Sequence, residues 1–134
     1  MSTKSTRHSV FDLQYHIVWC PKYRNAVLDG QVEIELKKII AESCAHYGWG
    51  LEEIEVMPDH VHLLVSADPD TRPNEIAKTL KSISAVKLFS EFPTLKKKKF
   101  WGSGLWSSST YYGSVGHNDE EVIRKYIQSQ KIRG

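Results

Sequence analysis

The stretch Met57-Pro58-Asp59-His60-Val61-His62-Leu63-Leu64-Val65 decides how the chain folds. It is too apolar and β-branched for a loop and too short for a helix, so it predicts a buried strand opened by Pro58. Side chains two apart on a strand share a face, so the two histidines and Leu64 lie opposite the valines and Leu63. We expect the valine face of this strand to pack in the hydrophobic core and the histidine face to point away from it.

The two neighbouring histidines, His60 and His62, suggest a metal site. Two imidazoles side by side on an inner strand cannot both be charged cheaply, and a shared cation is the simplest reason to place them there. Their spacing alone leaves a second interpretation open, because His-x-His also occurs on strands without a metal. In that interpretation both rings are neutral and hydrogen-bond to their neighbours.

The remaining pattern predicts strand, helix, strand, strand, helix, strand and helix in that order. The order βαββαβ predicts an α+β, ferredoxin-like (RRM-like) antiparallel sheet with two helices on one face and a further C-terminal helix. The other face is left for the site. The predicted segments are an alternating strand from Phe11 to Trp19, a helix from Val32 to Tyr47 ended by Gly48 and Gly50, strands 51–56 and 60–65, a helix from Asn74 to Phe92, a basic loop at Lys96 to Lys99, and a strand from Leu105 to Tyr112.

The C-terminal segment, residues 117–133, predicts an amphipathic helix. Asn118 can cap it, and Glu121 three residues later completes a capping box. Tyr126 and Gln130 are one turn apart, so a phenol hydroxyl and an amide oxygen project from one face. Alternatively, Tyr126 joins an apolar stripe and Gln130 is only solvated.

Composition limits the classes of function without choosing one. At 134 residues the chain suits one domain, residues 1–134. The net charge is +2, with 18 basic and 16 acidic side chains, so a nucleic-acid surface would have to be a local patch. Cys20 and Cys44 are far apart and predict neither a disulfide framework nor a metal site. With a polar N-terminus and no long apolar run, we expect a cytoplasmic protein that does not enter the membrane.

Together, the histidine motif and the tyrosine helix resemble a known family. It comprises the single-strand DNA transposases of the smallest bacterial and archaeal insertion sequences, members of the HUH class with one catalytic tyrosine. The motif His60-Val61-His62 follows Glu55-Val56-Met57-Pro58-Asp59, and the tyrosine helix contains Lys125-Tyr126-Ile127-Gln128-Ser129-Gln130. Tyr15 to Arg24, Leu80 to Ala85 and Leu105-Trp106 also resemble family segments. The resemblance covers nearly the whole chain.

The resemblance implies a transposase that cleaves and rejoins single-stranded DNA at insertion-sequence ends and recognises subterminal hairpins. Tyr126 would be the nucleophile and would form a 5′-phosphotyrosine intermediate. A divalent cation, Mg²⁺ or Mn²⁺, would be held by His60, His62 and the amide oxygen of Gln130. The family resemblance also implies a homodimer with shared active sites, in which helix 117–133 packs on the partner subunit. Gly113 to His117 is a short glycine-containing connection that could swing this helix onto the neighbour.

Candidate DNA contacts are the basic residues on the second helix, Lys78 and Lys81, and those after the first strand, Lys22 and Arg24. The Lys96 to Lys99 loop either contacts DNA or is an ordinary solvated surface. Asp59 is one residue before His60, so its side chain points to the other face of the strand and is not expected to bind the metal. It can instead orient one of the histidine ligands.

Two adjacent tyrosines, Tyr111 and Tyr112, lie on a predicted strand, where one of them should be buried. Neither has a glutamine partner at the spacing of Tyr126, which makes Tyr126 the better candidate nucleophile.

Three alternatives remain open. A noncatalytic RNA-binding module shares the βαββαβ order but carries an aromatic motif on its sheet, which is missing here. A zinc hydrolase needs a third acidic, His or Cys ligand. A host-domesticated HUH nuclease would use the same chemistry without a mobile element.

Overall fold

Four strands form one antiparallel sheet in the computed structural model of the chain, which describes residues 4–5, 10–11, 14–99, 104–115 and 120–133. After the two-residue strands β1 (Lys4–Ser5) and β2 (Val10–Phe11), which pair with each other, come β3 (Gln14–Pro21), β4 (Gly50–Met57), β5 (His60–Ser66) and β6 (Trp106–Val115). The spatial order is β4-β5-β3-β6. With two helices after β3 and β5, this is the predicted ferredoxin-like α+β arrangement.

The register confirms the predicted parity of the histidine strand. Ile17 pairs with Leu63 and Val18 pairs with His62 across β3 and β5. Directly opposed residues share a face, so Ile17 and Leu63 point into the core, where both are fully buried. His62 therefore looks out from the other face, which we call the open face.

Two helices, α1 (Gly30–Tyr47) and α2 (Pro73–Glu91), cover the core face of the sheet. Helix α1 ends at Gly48, whose φ of +76° is a left-handed conformation that glycine adopts without strain. Helix α2 starts with Pro73, and the Glu75 side chain accepts a hydrogen bond from the Arg72 backbone amide at 3.3 Å. The predicted end of α1 at Gly48 is confirmed, and α2 begins one residue before the predicted Asn74.

Two sequence predictions about connections are wrong. The expected basic loop at Lys96 to Lys99 is the end of a short helix, α3 (Pro93–Lys99), because Pro93 suits a first helical position and lysine is a good helix former. Strand β6 also continues past Tyr112 to Val115, with Gly113 paired to His16. Gly113 therefore belongs to the sheet and not to a flexible connection. Three residues of the predicted connection and cap lie outside the described residues: Gly116, His117 and Asn118. The same is true of Leu13 in the predicted first strand.

The fourth helix packs on the open face. Helix α4 (Glu120–Arg133) buries Ile127 against Leu64 and Val115, which form a small apolar cluster separate from the main core. In the described part of the chain, no helix combines the length and apolar character that crossing a bilayer requires.

Candidate active site

The histidines predicted as metal ligands lie side by side on the open face. The ring centroids of His60 and His62 are 4.6 Å apart. His60 Nδ1 is 2.7 Å from Asp59 Oδ1 in the β4–β5 turn, which leaves its Nε2 free for another role. His62 is only 6% exposed, and its Nε2 is buried without a hydrogen-bond partner among the described residues. An unpaired buried nitrogen is costly unless something binds it.

Sequence reasoning missed a third histidine at this site. His16 on β3 stacks on His62 with ring centroids 5.7 Å apart, and its Nε2 lies 3.5 Å from His62 Nδ1. The signal was present in the alternation of the first strand. Tyr15, Ile17 and Trp19 share the core side, so His16 had to face the other way, and only the strand order was needed to place it beside His62.

Two of these histidines have lowered pKa values. Burial, followed by the charges that His60 and His16 would carry, lowers the pKa of His62 to about 4. Burial also lowers the pKa of His16. At neutral pH the His62 and His16 imidazoles therefore offer lone pairs to a cation and do not repel it.

Asp59 links the histidines to the end of β3. Burial opposes its ionisation, but the hydrogen bonds and charges of His60 and Arg24 outweigh burial and lower the pKa of Asp59. Arg24 Nη2 lies 3.1 Å from Asp59 Oδ2. Asp59 is thus an ionised carboxylate that contacts one candidate ligand and one candidate DNA-binding residue.

Helix α4 brings Tyr126 over the histidines. The Tyr126 ring is 6.2 Å from the His62 ring, centroid to centroid, and the residue is 47% exposed. Gln130 is one turn further along on the same side and is partly buried. Within the described ranges, no three His, Cys, Asp or Glu side chains are grouped so that they could hold a metal ion. A cation bound here by three protein ligands would therefore need a third ligand of another type, and the amide oxygen of Gln130 is the candidate that the sequence predicts.

Polar contacts fix α4 to the neighbouring strand. Gln128 Nε2 donates to Glu53 Oε2 at 2.7 Å, and Arg124 Nε lies 3.7 Å from the same oxygen. Arg124 Nη2 is also 4.0 Å from Glu52 Oε1. In this single chain the helix thus lies on its own sheet, and its predicted position on a partner subunit stays a prediction.

The candidate DNA-binding residues lie on two different sides of the molecule. Arg24 is at the open face, beside Asp59. Lys78 and Lys81 line a cavity of about 450 Å³ between α2 and β6 on the helix side of the sheet. Lys81 Nζ donates to the Ser107 carbonyl at 2.7 Å and to Thr110 Oγ1 at 3.1 Å, and burial lowers the pKa of its ammonium group. Lys78 is exposed.

Two further lysines named in the sequence analysis, Lys22 and Lys96, have different surroundings. Lys22 is partly buried, and its backbone amide donates to the Leu105 carbonyl at 2.8 Å. Lys96, on α3, lies over the Phe89 ring at 5.5 Å from the centroid.

The expectation that either Tyr111 or Tyr112 is buried is wrong. Tyr111 is 58% exposed and Tyr112 is 39% exposed. Strand β6 is at the sheet edge, so neither side chain is enclosed by strands on both sides. Tyr111 shares the open face with His16, and their rings meet edge to face at 5.8 Å. A second tyrosine thus lies near the histidines.

A ferredoxin-like sheet with a histidine pair on an inner strand and a tyrosine helix above it defines the class of the tyrosine transposases. Residues 9–130 match the family model described as "Transposase IS200 like". The chain belongs to this family.

Relatives of known sequence agree with this assignment. The ISDra2 transposase TnpA of Deinococcus radiodurans is 43% identical over 130 residues, which cover 97% of this chain and 92% of that protein. The transposase of insertion sequence element IS200 from Salmonella typhimurium is 30% identical, over 95% of this chain and 82% of its own length.

Solved structures confirm the fold. A Deinococcus radiodurans protein described as a transposase superposes with a TM-score of 0.77 at 39% identity, covering 95% of this chain and 97% of that one. A REP-associated tyrosine transposase bound to a REP hairpin superposes with a TM-score of 0.67 at 14% identity, covering 97% and 73%. At that identity the second likeness shows the fold alone.

Proposed function

We propose that the chain cleaves and rejoins single-stranded DNA at insertion-sequence ends through a covalent bond to Tyr126. The observation that carries the proposal is the contact of the exposed Tyr126 ring with His62, 6.2 Å away, whose buried Nε2 has no hydrogen-bond partner among the described residues. A phenol that reaches solvent beside an unsatisfied imidazole nitrogen suits a nucleophile beside a cation-binding ligand.

The ligands fit a divalent cation. His60 and His62, through Nε2, and the amide oxygen of Gln130 would hold Mg²⁺ or Mn²⁺, and the imidazoles favour manganese. The lowered pKa of His62 keeps its lone pair available at neutral pH. When bound, the cation withdraws negative charge from the scissile phosphate. All three ligands are neutral, so the positive charge is not cancelled by the protein.

Tyr126 performs the covalent step. Its Oη attacks the scissile phosphorus and loses the phenolic proton, while the 3′ oxygen leaves and takes up a proton. The products are a 5′-phosphotyrosine bond and a free 3′-hydroxyl. Because one phosphodiester replaces another, a second 3′-hydroxyl can reverse the step and join a new strand without a nucleotide cofactor.

Asp59 acts as a positioning residue in this mechanism. Its contact with His60 Nδ1 at 2.7 Å fixes the tautomer and directs Nε2 toward the cation. Arg24 in turn holds the other carboxylate oxygen of Asp59 at 3.1 Å.

We further propose that the DNA substrate carries hairpins at the element's ends. Support comes from a neighbour of the same fold that is bound to a REP hairpin, and from the exposed Lys78 beside the cavity between α2 and β6. A duplex stem on the helix side would leave its single-stranded flank to reach the open face. Lys78 and Lys81 would supply charge to the stem and Arg24 to the flank.

A covalent-adduct assay tests the proposed function. Wild-type protein, Mn²⁺ and single-stranded oligonucleotides carrying hairpins with their genomic flanks should give a protein–DNA adduct. Tyr126→Phe should abolish it and leave binding nearly intact, because only an exposed oxygen is removed. The matched variant Tyr111→Phe, at the second tyrosine near the histidines, should keep the adduct. If Tyr126→Phe still forms the adduct and Tyr111→Phe does not, then Tyr111 is the nucleophile and the assignment of Tyr126 is wrong. If the wild-type protein forms no adduct, the proposed function is refuted.

From the family resemblance, we also propose a homodimer in which α4 of each subunit takes this same position over the histidines of the partner subunit, so that each Tyr126 serves the partner's site. Mixing inactive Tyr126→Phe protein with inactive His62→Ala protein should then restore up to half the wild-type activity in each heterodimer. One of the two sites receives an intact tyrosine and intact histidines. If the tyrosine serves its own subunit, as the position of α4 in the single chain would allow, a fully exchanged mixture stays inactive.

A further inference from the structure

Helix α4 lies mainly over the β4 and β5 side of the open face. Gln128 contacts Glu53 on β4, and Ile127 lies on Leu64 of β5 and on Val115 at the end of β6. Beyond the histidines, the β3–β6 side contains a groove of about 550 Å³. We call it the Tyr111 groove. Its open-face lining includes Val18, Cys20, Tyr23, Arg24, Ser109 and Tyr111.

The Tyr111 ring has a fixed place at the edge of this groove. It meets the His16 ring edge to face at 5.8 Å, and His16 stacks on His62. Gly113, two residues further along β6 on the same face, makes room for the ring, because a Cβ there would lie 2.9 Å from Tyr111 Oη. The ring is thus held between an imidazole and a bare stretch of backbone, yet Tyr111 remains 58% exposed.

The far end of the groove is built from strained backbone. Tyr23 and Arg24 have φ values of +62° and +51°, in the left-handed region that costs non-glycine residues free energy. Tyr23 is 69% exposed, and the Arg24 guanidinium is held by Asp59. The strain therefore presents an aromatic ring and a cation at the end of the groove nearest the β4–β5 turn.

We propose that the Tyr111 groove binds an unpaired base of the DNA strand, stacked on Tyr111, within a few nucleotides of the scissile phosphate. This proposal rests on the proposed function and adds a base-binding subsite to it. An exposed aromatic ring, neighbouring hydroxyls and an arginine are the groups that proteins use to hold single-stranded nucleic acid. The volume falls in the range of small-molecule sites. Tyr111 lines the groove and also meets the His16 ring at 5.8 Å, so a DNA strand bound at the histidines can extend into the groove.

An abasic-site scan coupled to mutation tests the subsite. Binding of a hairpin oligonucleotide with its single-stranded flank would be measured by fluorescence anisotropy in chelator, on a Tyr126→Phe background. Each flank nucleotide is replaced in turn by an abasic site. We expect one or two adjacent positions to weaken binding by roughly ten- to a hundredfold. In Tyr111→Ala those same abasic substitutions should cost nothing further, because the stacking partner is already absent.

Matched variants separate stacking from general damage. Tyr111→Phe keeps the ring and should behave like the background protein. Gly113→Ala should displace the ring and weaken the same positions while leaving Tyr111 present. Tyr47→Leu removes a tyrosine of similar exposure on α1 and should change nothing. If no abasic position couples to Tyr111, or if Tyr111→Phe binds like Tyr111→Ala, the proposal is overturned.

The binding assay requires no cleavage, so the two proposals can fail separately. Coupling at Tyr111 in a protein that never forms an adduct would leave the subsite standing and refute the proposed function. An adduct at Tyr126 without any coupling would do the reverse. When both hold, the coupled positions should lie within a few nucleotides of the mapped cleavage site, and coupling confined to distant positions would also overturn the proposal.

Discussion

The two sides of the sheet hold their helices in different ways. Helices α1 and α2 share a continuous apolar core with the sheet, including Leu36, Ile40, Leu63 and Leu80. On the open face, the small cluster of Leu64, Val115 and Ile127 is supported by partly exposed polar contacts to Glu52 and Glu53. Such ion pairs contribute about 0–1 kcal/mol each. The candidate metal ligands therefore lie on a strand that shares the main core, whereas the candidate nucleophile lies on a helix held by a small apolar cluster and a few polar contacts.

The largest expected effect comes from removing a candidate metal ligand on β5. His62→Ala should reduce adduct formation by at least about a thousandfold and leave DNA binding within a few-fold of wild type. Wild-type protein in chelator should behave in the same way. His46→Ala, at an exposed histidine on α1, is the control and should retain activity. Undiminished cleavage in chelator would remove the cation from the mechanism.

Apolar truncations on the two sides test the comparison directly. Leu63→Ala should lower the free energy of unfolding by about 2–5 kcal/mol, because it leaves a cavity in the main core. Ile127→Ala should lower it less, since the helix can detach while the sheet stays folded. Urea titration measures the first effect, and faster amide exchange confined to α4 measures the second. Equal losses of stability in both variants would show that α4 is part of the main cooperative unit.

Asp59→Asn should have a smaller effect on activity. The amide oxygen of the variant can still accept a hydrogen bond from His60 Nδ1, but it lacks the negative charge of the carboxylate and orients the ring less firmly. Cation affinity should therefore fall about 10- to 100-fold. The half-saturating Mn²⁺ concentration in the adduct assay would report this, and excess Mn²⁺ should restore the rate. Asp70→Asn, at an exposed carboxylate in the turn after β5, is the matched control. A loss of rate that excess metal does not restore would indicate a structural role for Asp59.

The pH dependence of stability should show the smallest effect. The folded pKa of His62, about 4, lies below its ordinary value of 6.5, so the unfolded state binds more protons between these pH values. In chelator, stability should be constant above pH 6.5 and fall as the pH drops toward 4, by about 2 kcal/mol between pH 7 and pH 5. His62→Gln should remove most of this slope and leave the smaller part that the lowered pKa of His16 contributes, and His46→Gln should keep the whole slope. An unchanged slope in His62→Gln would assign the pH dependence to other groups.

The fold was predictable because its signals are local. Alternation in β3 and β5, the helical spacing in α1 and the boundary at Gly48 all report directly on backbone conformation. The sequence predictions failed where contacts with distant parts of the chain determine the secondary structure. Gly113 resembled a linker in sequence, but pairing with His16 makes it part of β6.

The site was predictable in part for the same reason. The shared face of His60 and His62 follows from parity alone, and the pair lies there. His16 and Tyr111 come from other strands, so their proximity depends on the strand order, which no local pattern contains. The strained backbone at Tyr23 and Arg24 likewise has no sequence signal, because neither residue is a glycine.

The bare backbone beneath the Tyr111 ring also constrains how related sequences can diverge. Any side chain at position 113 would need the space that this ring now fills. The two positions should therefore covary across the family: glycine at 113 should accompany a large aromatic residue at 111, and chains with a side chain at 113 should carry a smaller residue at 111. The residues at positions 111 and 113 of the edge strand should therefore show whether a member of the family has an aromatic ring beside its histidines.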